Sequence, residues 1–247
     1  SLVGGRPILK KVVAGSSAYE AGLRAGYQIV SVNGESFTDL KKTVESSGVF
    51  ENVIPYYLEK SVENRWYGSP RQKVEVIAKS GAMGAPKRYA FKLDAYDGLM
   101  SEQLGNLGAM TMEIESRVLE SGVAYLRFDV WIPGLMGPMR TFVRSLDEDV
   151  RGLIIDVRGN PGGIGLMATG LAGMLVDKEF RMGTMRMRSG FLNYNVFPQK
   201  GAFLGPVAIL IDGSSISTSE IFAASMKETG RARIFGSKSP GAALPSV

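Results

Sequence analysis

Two regimes of hydrophobic patterning divide the chain near residue 97. Before it, short apolar runs are separated by turn residues. Segments 7–13, 28–32, 73–78 and 88–93 predict strands. Gly15-Ser16-Ser17 can cap a short helix over 18–23, which Gly26 ends. Asn33-Gly34, directly after the second strand, is a strong hairpin signal. Helical periodicity near 39–44 and again near 53–62 makes 39–67 a helical insertion. Residues 1–97 thus predict a small α+β unit.

Beyond it, residues 98–121 are ambiguous, with 99–112 as linker or helix. Strands and helices then alternate: strands at 123–128, 152–157, 207–211 and 232–235, helices at 136–146, 164–176 and 217–229. Uninterrupted apolar strands between helices predict a largely parallel sheet covered on its faces. Residues 98–247 therefore form an α/β unit. Both ends look cut: Ser1 opens inside one unit, and Pro245-Ser246-Val247 stops without a terminal element. The first unit is read as incomplete at its N-terminus, the second at its C-terminus.

Composition narrows the chemistry. The apolar share of 45% and charged share of 21% are those of a globular protein. No apolar run reaches the roughly 18 residues of a membrane-crossing helix; the longest, 166–176, is interrupted by Gly170 and Gly173. Net charge is +5, with basic runs at Lys41-Lys42 and 181–188. Acidic residues are interspersed and no aromatic-basic platform appears, so these runs read as solvated faces and not as a nucleic-acid surface. Absence of Cys removes disulfides and thiolate chemistry; absence of His as well removes most zinc designs and the usual base partner of a serine nucleophile. No metal or cofactor is indicated.

Two turns carry candidate chemistry. The apolar strand 207–211 runs into Ser214, Ser215, Ser217 and Ser219, and then a helix. This strand–turn–helix geometry can lift one hydroxyl to the rim of a sheet beside the positive end of a helix. Ser217 followed by Glu220 is equally a capping box, with the hydroxyl accepting from a helix N–H and the carboxylate reaching back. Free first-turn N–H groups, Thr218 foremost, could stabilise an oxyanion. The second turn, Asp156-Val157-Arg158-Gly159-Asn160-Pro161-Gly162-Gly163, offers another N–H from Gly162 or Gly163; its plain reading is a tight strand-to-helix connection. Within it, Gly163-Ile164-Gly165-Leu166-Met167-Ala168 fits a dinucleotide fingerprint, but five residues separate the strand from the first glycine and no acid-ended second strand follows at the required distance.

DVRGNPGG, followed about 50 residues later by IDGSSISTSEIFAASMKETGRARIFGSKSPG, resembles the C-terminal processing (tail-specific) serine peptidases. Residues 15–34 resemble a bacterial PDZ domain, which that family commonly carries before its core. The resemblance implies a crotonase-like (ClpP/crotonase-type) α/β peptidase core at 98–247 behind a small α+β PDZ domain at 1–97. It implies Ser217 as nucleophile of an acyl-enzyme, Ser215 and Ser219 as supports, and the Thr218 and Gly162 N–H groups as an oxyanion hole. Arg158, Glu220 and Glu228 match positions that organise the site. It implies protein or peptide C-termini as substrates, and a periplasmic, envelope or secreted bacterial location. Membrane association through a segment before Ser1, and homo-oligomerisation, stay open.

The base is the departure. Family members use a Lys where this chain has Ala242, and a related tricorn-like branch uses a His about where Arg127 stands. Three alternatives follow: a base on chain outside these residues, Lys238 with its pKa lowered by burial to about 7–8, or a catalytically inactive relative acting as a scaffold for peptide tails. In the PDZ, Ser17 replaces the common Pro and Tyr27 the usual Asp. Gly4-Gly5 are read as the remnant of the carboxylate-binding loop.

Overall fold

The computed structural model describes residues 2–81, 83–103, 108–188 and 190–243. Positions 245–247, where the sequence reading ends the chain without an element, lie outside them. The chain divides into two units, Ser1–Asp97 and Gly98–Val247.

The first unit contains β1 (Leu2–Val3), β2 (Arg6–Pro7), α1 (Ser17–Glu20), β3 (Gln28–Val32), β4 (Glu35–Ser36), α2 (Phe37–Ser46), α3 (Ile54–Glu63), β5 (Lys73–Lys79) and β6 (Lys87–Lys92). Strands β4-β3-β5-β6 form an antiparallel sheet. Its inward side chains, Ile29, Val32, Val74, Val76 and Ala78, bury with Leu23 and Leu40. Asn33 and Gly34 both take positive φ (49° and 84°) and make the two-residue turn that sets Val32 opposite Glu35. Gly4 and Gly5 do the same between β1 and β2.

Two local expectations fail here. The strand over 7–13 leaves the sheet early: Leu9 still exchanges hydrogen bonds with Tyr27 and Gly26, but Lys10, Lys11 and Val13 face solvent. Helix α1 ends at Gly22, not Gly26. The Leu23 N–H reaches back to the Ala18 carbonyl (3.1 Å) while Gly22 sits at φ 98°, a left-handed C-terminal turn.

The second unit contains β7 (Leu99–Met100), β8 (Thr111–Met112), β9 (Ile114–Val118), β10 (Val123–Phe128), α4 (Pro133–Arg144), β11 (Gly152–Asp156), α5 (Gly165–Gly173), β12 (Phe180–Met187), β13 (Gly190–Val196), β14 (Val207–Ile211), α6 (Thr218–Glu228) and β15 (Ala232–Gly236). The segment read as linker or helix, 99–112, therefore holds β7 and β8, and β9 follows within the ambiguous stretch 98–121, with 104–107 outside the described residues. As an antiparallel edge, β9 exposes Glu115, Ser116 and Arg117, so it shows no apolar run. The hairpin β12–β13 also escapes the sequence reading. The basic run 181–188 falls largely within β12, where Met182 turns inward and Arg181 and Arg186 face solvent.

The main sheet has the order β15-β14-β11-β10-β9, its first four strands parallel. One face is packed. Ala124, Leu126, Phe128, Leu153, Ile155 and Ile209 join Leu135 and Met139 of α4, Leu171 of α5 and Phe222 of α6 in a single core. Among the described residues the expected cover on the second face is not seen: Ile154, Leu210 and Phe235, on that face, belong to neither core, and Phe235 is 52% exposed. All three long helices of this unit serve the same side.

Candidate active site

Strands β11 and β14 are neighbours in parallel register, with Asp156 opposite Leu210, so the turns after them emerge side by side. Hydrogen bonds then join the two turns. Asp212 Oδ1 accepts from the N–H groups of Gly159 and Ser214 (both 2.9 Å). The Ser215 hydroxyl donates to the Val157 carbonyl (2.7 Å) and accepts from the Asp212 N–H (2.9 Å). The Ser219 hydroxyl donates to the Asn160 carbonyl (3.0 Å) and accepts from Trp131 Nε1 (2.8 Å). Thr218 Oγ1 donates to the Gly163 carbonyl (2.8 Å).

Ser217 stands apart within this frame. Residues 214–216 and 218–220 are buried; Ser217 is half-exposed. Its backbone sits at φ 55°, ψ −117°, a conformation that costs a non-glycine residue about 1–3 kcal/mol and collects at functional sites. Gly162 lies directly against it: a Cβ there would come 2.7 Å from the Ser217 Cβ and 3.0 Å from the Thr218 N. Thr218 opens α6, and among the described residues its N–H meets no protein acceptor, as the first positions of a helix allow.

The expected capping box between Ser217 and Glu220 is present at the start of α6. Glu220 reaches back, Oε2 accepting from the Ser217 N–H (3.0 Å). The Glu220 N–H meets the Ser217 carbonyl (2.9 Å). The same carboxylate accepts from the N–H groups of Gly241 (2.6 Å) and Ala242 (2.9 Å). Buried Glu220 thereby docks segment 241–242 onto the Ser217 turn.

Several predicted positions lie elsewhere or do other work. The Gly162 N–H is not free: it donates to Asn160 Oδ1 (2.9 Å). Lys238 is exposed, so the burial that would make it a base is missing. Glu228 is exposed at the far end of α6. Among the described residues, no titratable side chain hydrogen-bonds the Ser217 hydroxyl, and no cluster of acidic, His or Cys residues could hold a metal ion. The dinucleotide-like turn is filled by protein: a parallel bridge joins Gly163 to Trp131, and a Cβ on Gly165 would strike the Tyr194 ring at 2.8 Å.

Sequence reasoning missed two residues. Asn160, fully buried, donates from Nδ2 to the Phe128 carbonyl (3.1 Å), and its own carbonyl takes the Ile216 N–H (3.1 Å). It therefore links β10, the glycine turn and the serine turn. Asp156, also fully buried, accepts from Arg158 Nε (2.9 Å) and Nη2 (2.6 Å), from the Arg158 N–H (3.0 Å) and from the Tyr125 hydroxyl (2.7 Å), with Arg127 Nη1 at 3.4 Å. Arg158 thus braces the turn through Asp156. The signals were slight: a lone acid closing an apolar strand for Asp156, and an amide between Gly159 and Pro161 in the turn for Asn160.

Burial alone would raise the Asp156 pKa, but the hydrogen bonds from Arg158 and Tyr125 prevail and hold it below the usual carboxylate range. Burial first, then the bond to Asp156, pushes the Tyr125 phenol up. A carboxyl lowered on folding stabilises the fold fully above its unfolded value near 4, and that contribution is lost as pH falls through the folded value. Wild type should therefore lose urea resistance between about pH 5 and pH 2. Asp156→Asn should lower the midpoint at pH 7 and flatten this acid slope; parallel slopes would contradict the assignment.

The model of "Peptidase family S41" matches residues 122–245, just over half of the chain, and that of "PDZ domain" matches residues 8–46. Carboxy-terminal processing protease CtpB of Bacillus subtilis (strain 168) is 24% identical over 242 residues, covering 96% of this chain and 44% of its own length. Carboxyl-terminal-processing peptidase 3, chloroplastic, of Arabidopsis thaliana is 23% identical over 239 residues, covering 96% and 43%. The chain spans less than half the length of these relatives. Among solved structures, the photosystem II D1 C-terminal processing protease is similar at TM-score 0.54 and 20% identity, over 98% of this chain and 60% of that one. Mature CPAF is similar at TM-score 0.59 and 14% identity, over 98% and 67%. At these identities the structural likeness speaks to fold. The family match, on the unit that holds both turns, shows that the chain belongs to peptidase family S41, with PDZ-domain sequence in the unit before it.

Proposed function

We propose that this chain carries the nucleophile of a serine endopeptidase that cleaves proteins near their C-termini, with Ser217 forming the acyl-enzyme and the PDZ unit receiving the substrate's tail. One observation carries the reading. Ser217 is the only half-exposed residue in the buried run 214–220, held in a strained conformation beside a free helix N–H and a glycine turn.

Attack of the Ser217 oxygen on a carbonyl places negative charge beside the Thr218 N–H. Because Asn160 occupies the Gly162 N–H, the second donor is the N–H of Gly163, whose carbonyl already faces Thr218. A water molecule then releases the acyl group. The base comes from polypeptide outside these residues, since Arg127 is engaged with Asp156 and cannot deprotonate near neutral pH. The core is read as crotonase-like. The location is read as the bacterial envelope or outside it. Among the described residues, no helix is long and apolar enough to cross a membrane.

A second reading has its own support: with Ala242 docked at the site and, among the described residues, no base at the hydroxyl, the chain would bind tails without cutting them. An unstructured protein substrate separates the two. The peptidase reading expects slow cleavage that Ser217→Ala abolishes, with peptides bound at least about tenfold more tightly as free carboxylates than as C-terminal amides. Tail binding with equal inactivity of both proteins supports the scaffold. Neither cleavage nor tail preference would defeat both.

A further inference from the structure

Trp131, between β10 and α4, holds both turns of the site at once. It is 1% exposed, its ring edge-on to Phe128 (centroids 4.7 Å apart) and tilted against Phe222 of α6 (5.2 Å). Its backbone grips the glycine turn from one side. The Trp131 N–H donates to the Gly162 carbonyl (2.9 Å), and the Ile164 N–H donates to the Trp131 carbonyl (2.8 Å).

The grip fixes a direction. Across a trans peptide, C=O and N–H point opposite ways. The Gly162 carbonyl points at Trp131, so the Gly163 N–H points away from it. The Ile164 N–H points at Trp131, so the Gly163 carbonyl also points away, and there it accepts from Thr218 Oγ1 (2.8 Å). The Gly163 N–H therefore leaves on the Thr218 side, where among the described residues it meets no protein acceptor. The close approach requires glycine: a Cβ at 163 would lie 2.4 Å from the Trp131 oxygen.

The indole holds the other turn. A buried indole N–H needs an acceptor. Nε1 finds it in the Ser219 hydroxyl (2.8 Å), which donates its own hydrogen to the Asn160 carbonyl (3.0 Å). The path leaves Trp131, crosses the first turn of α6 and returns to the glycine turn. We infer that Trp131 is a positioning residue of the oxyanion site: its backbone aims the Gly163 N–H, and its indole, through Ser219, fixes the turn that carries the Thr218 N–H. This inference rests on Ser217 as the nucleophile.

The test compares the full chain with Trp131→Phe, Ser219→Ala and the double variant, each checked for folding by circular dichroism and thermal melting. Trp131→Phe keeps a buried ring and both backbone bonds but removes the indole N–H. Fluorophosphonate labelling of Ser217 should slow at least about tenfold in each single variant. The loss should fall on the maximal labelling rate and leave the half-saturating concentration unchanged, because these donors act on the developing charge. The double variant should be no slower than the slower single one, since the two groups act in series. A second readout needs no reaction. Trp66 and Trp131 are the chain's two tryptophans, so a heteronuclear NMR spectrum resolves one indole signal for each. Ser219→Ala should move the Trp131 signal, speed its exchange with solvent and leave the Trp66 signal in place. An unchanged labelling rate in Trp131→Phe, multiplied losses in the double variant, or a Trp131 signal indifferent to Ser219→Ala would overturn the inference. A wild type that is never labelled, with the indole signal still responding, would defeat the nucleophile reading and with it the oxyanion role, leaving Trp131 a structural clamp.

Discussion

Ala242→Lys is expected to accelerate acylation of Ser217 by about 10²- to 10⁴-fold, the range that a positioned base contributes. The argument rests on one oxygen. Glu220 Oε2 accepts from both the Ser217 N–H (3.0 Å) and the Ala242 N–H (2.9 Å), so the two backbone nitrogens lie within about 6 Å of each other. A lysine at 242 therefore starts beside Ser217, on a four-carbon stem long enough to cross a gap of that size. Ala242→Met supplies similar bulk without an amine and should leave the rate unchanged. The gain should rise with pH as the amine deprotonates, and disappear in the Ser217→Ala double variant. Equal rates for the Lys and Met variants would mean that segment 241–242 does not dock as described.

Gly162→Ala should have the second largest effect. At φ 100°, an alanine is already strained. Its methyl would also meet the Ser217 Cβ at 2.7 Å, the Ile216 carbonyl at 2.9 Å and the Thr218 N at 3.0 Å. Two of these neighbours are backbone within the hydrogen-bonded junction, so the serine turn must move. A loss of about 2–4 kcal/mol in urea unfolding is expected, with acylation abolished even where the protein remains folded. Gly159→Ala separates backbone strain from collision. Gly159 also has positive φ (75°), but a Cβ there meets nothing within 4 Å. Its cost should be only about 1–2 kcal/mol, with reactivity kept. Equal losses at 159 and 162 would mean that the glycine turn is not pressed against Ser217.

Legibility in the sequence followed burial. Strands β10, β11, β14 and β15 announce themselves because their packed face needs uninterrupted apolar side chains, and α6 because Ser217 to Glu220 marks its start. Strand β9 and the hairpin β12–β13 do not, since each turns charged residues to solvent. The one-sided covering of the sheet is invisible for a related reason. Ile154, Leu210 and Phe235 look like core residues whether or not a layer covers them. In the site, Ser217 and the glycine turn were legible as motifs. The partner of each N–H was not, because it depends on which carboxamide or carboxylate folds over the turn. Asn160 takes the Gly162 N–H and Glu220 takes three others, and neither contact has a sequence period.

The most direct measurement is covalent. The chain is treated with a fluorophosphonate, its intact mass is recorded, and the adduct is located by peptide mapping. One adduct per chain, on Ser217, absent from Ser217→Ala and formed faster in Ala242→Lys, is the predicted result. An adduct on another hydroxyl, or none in wild type and Ala242→Lys alike, would show that no reactive oxygen faces the Thr218 N–H.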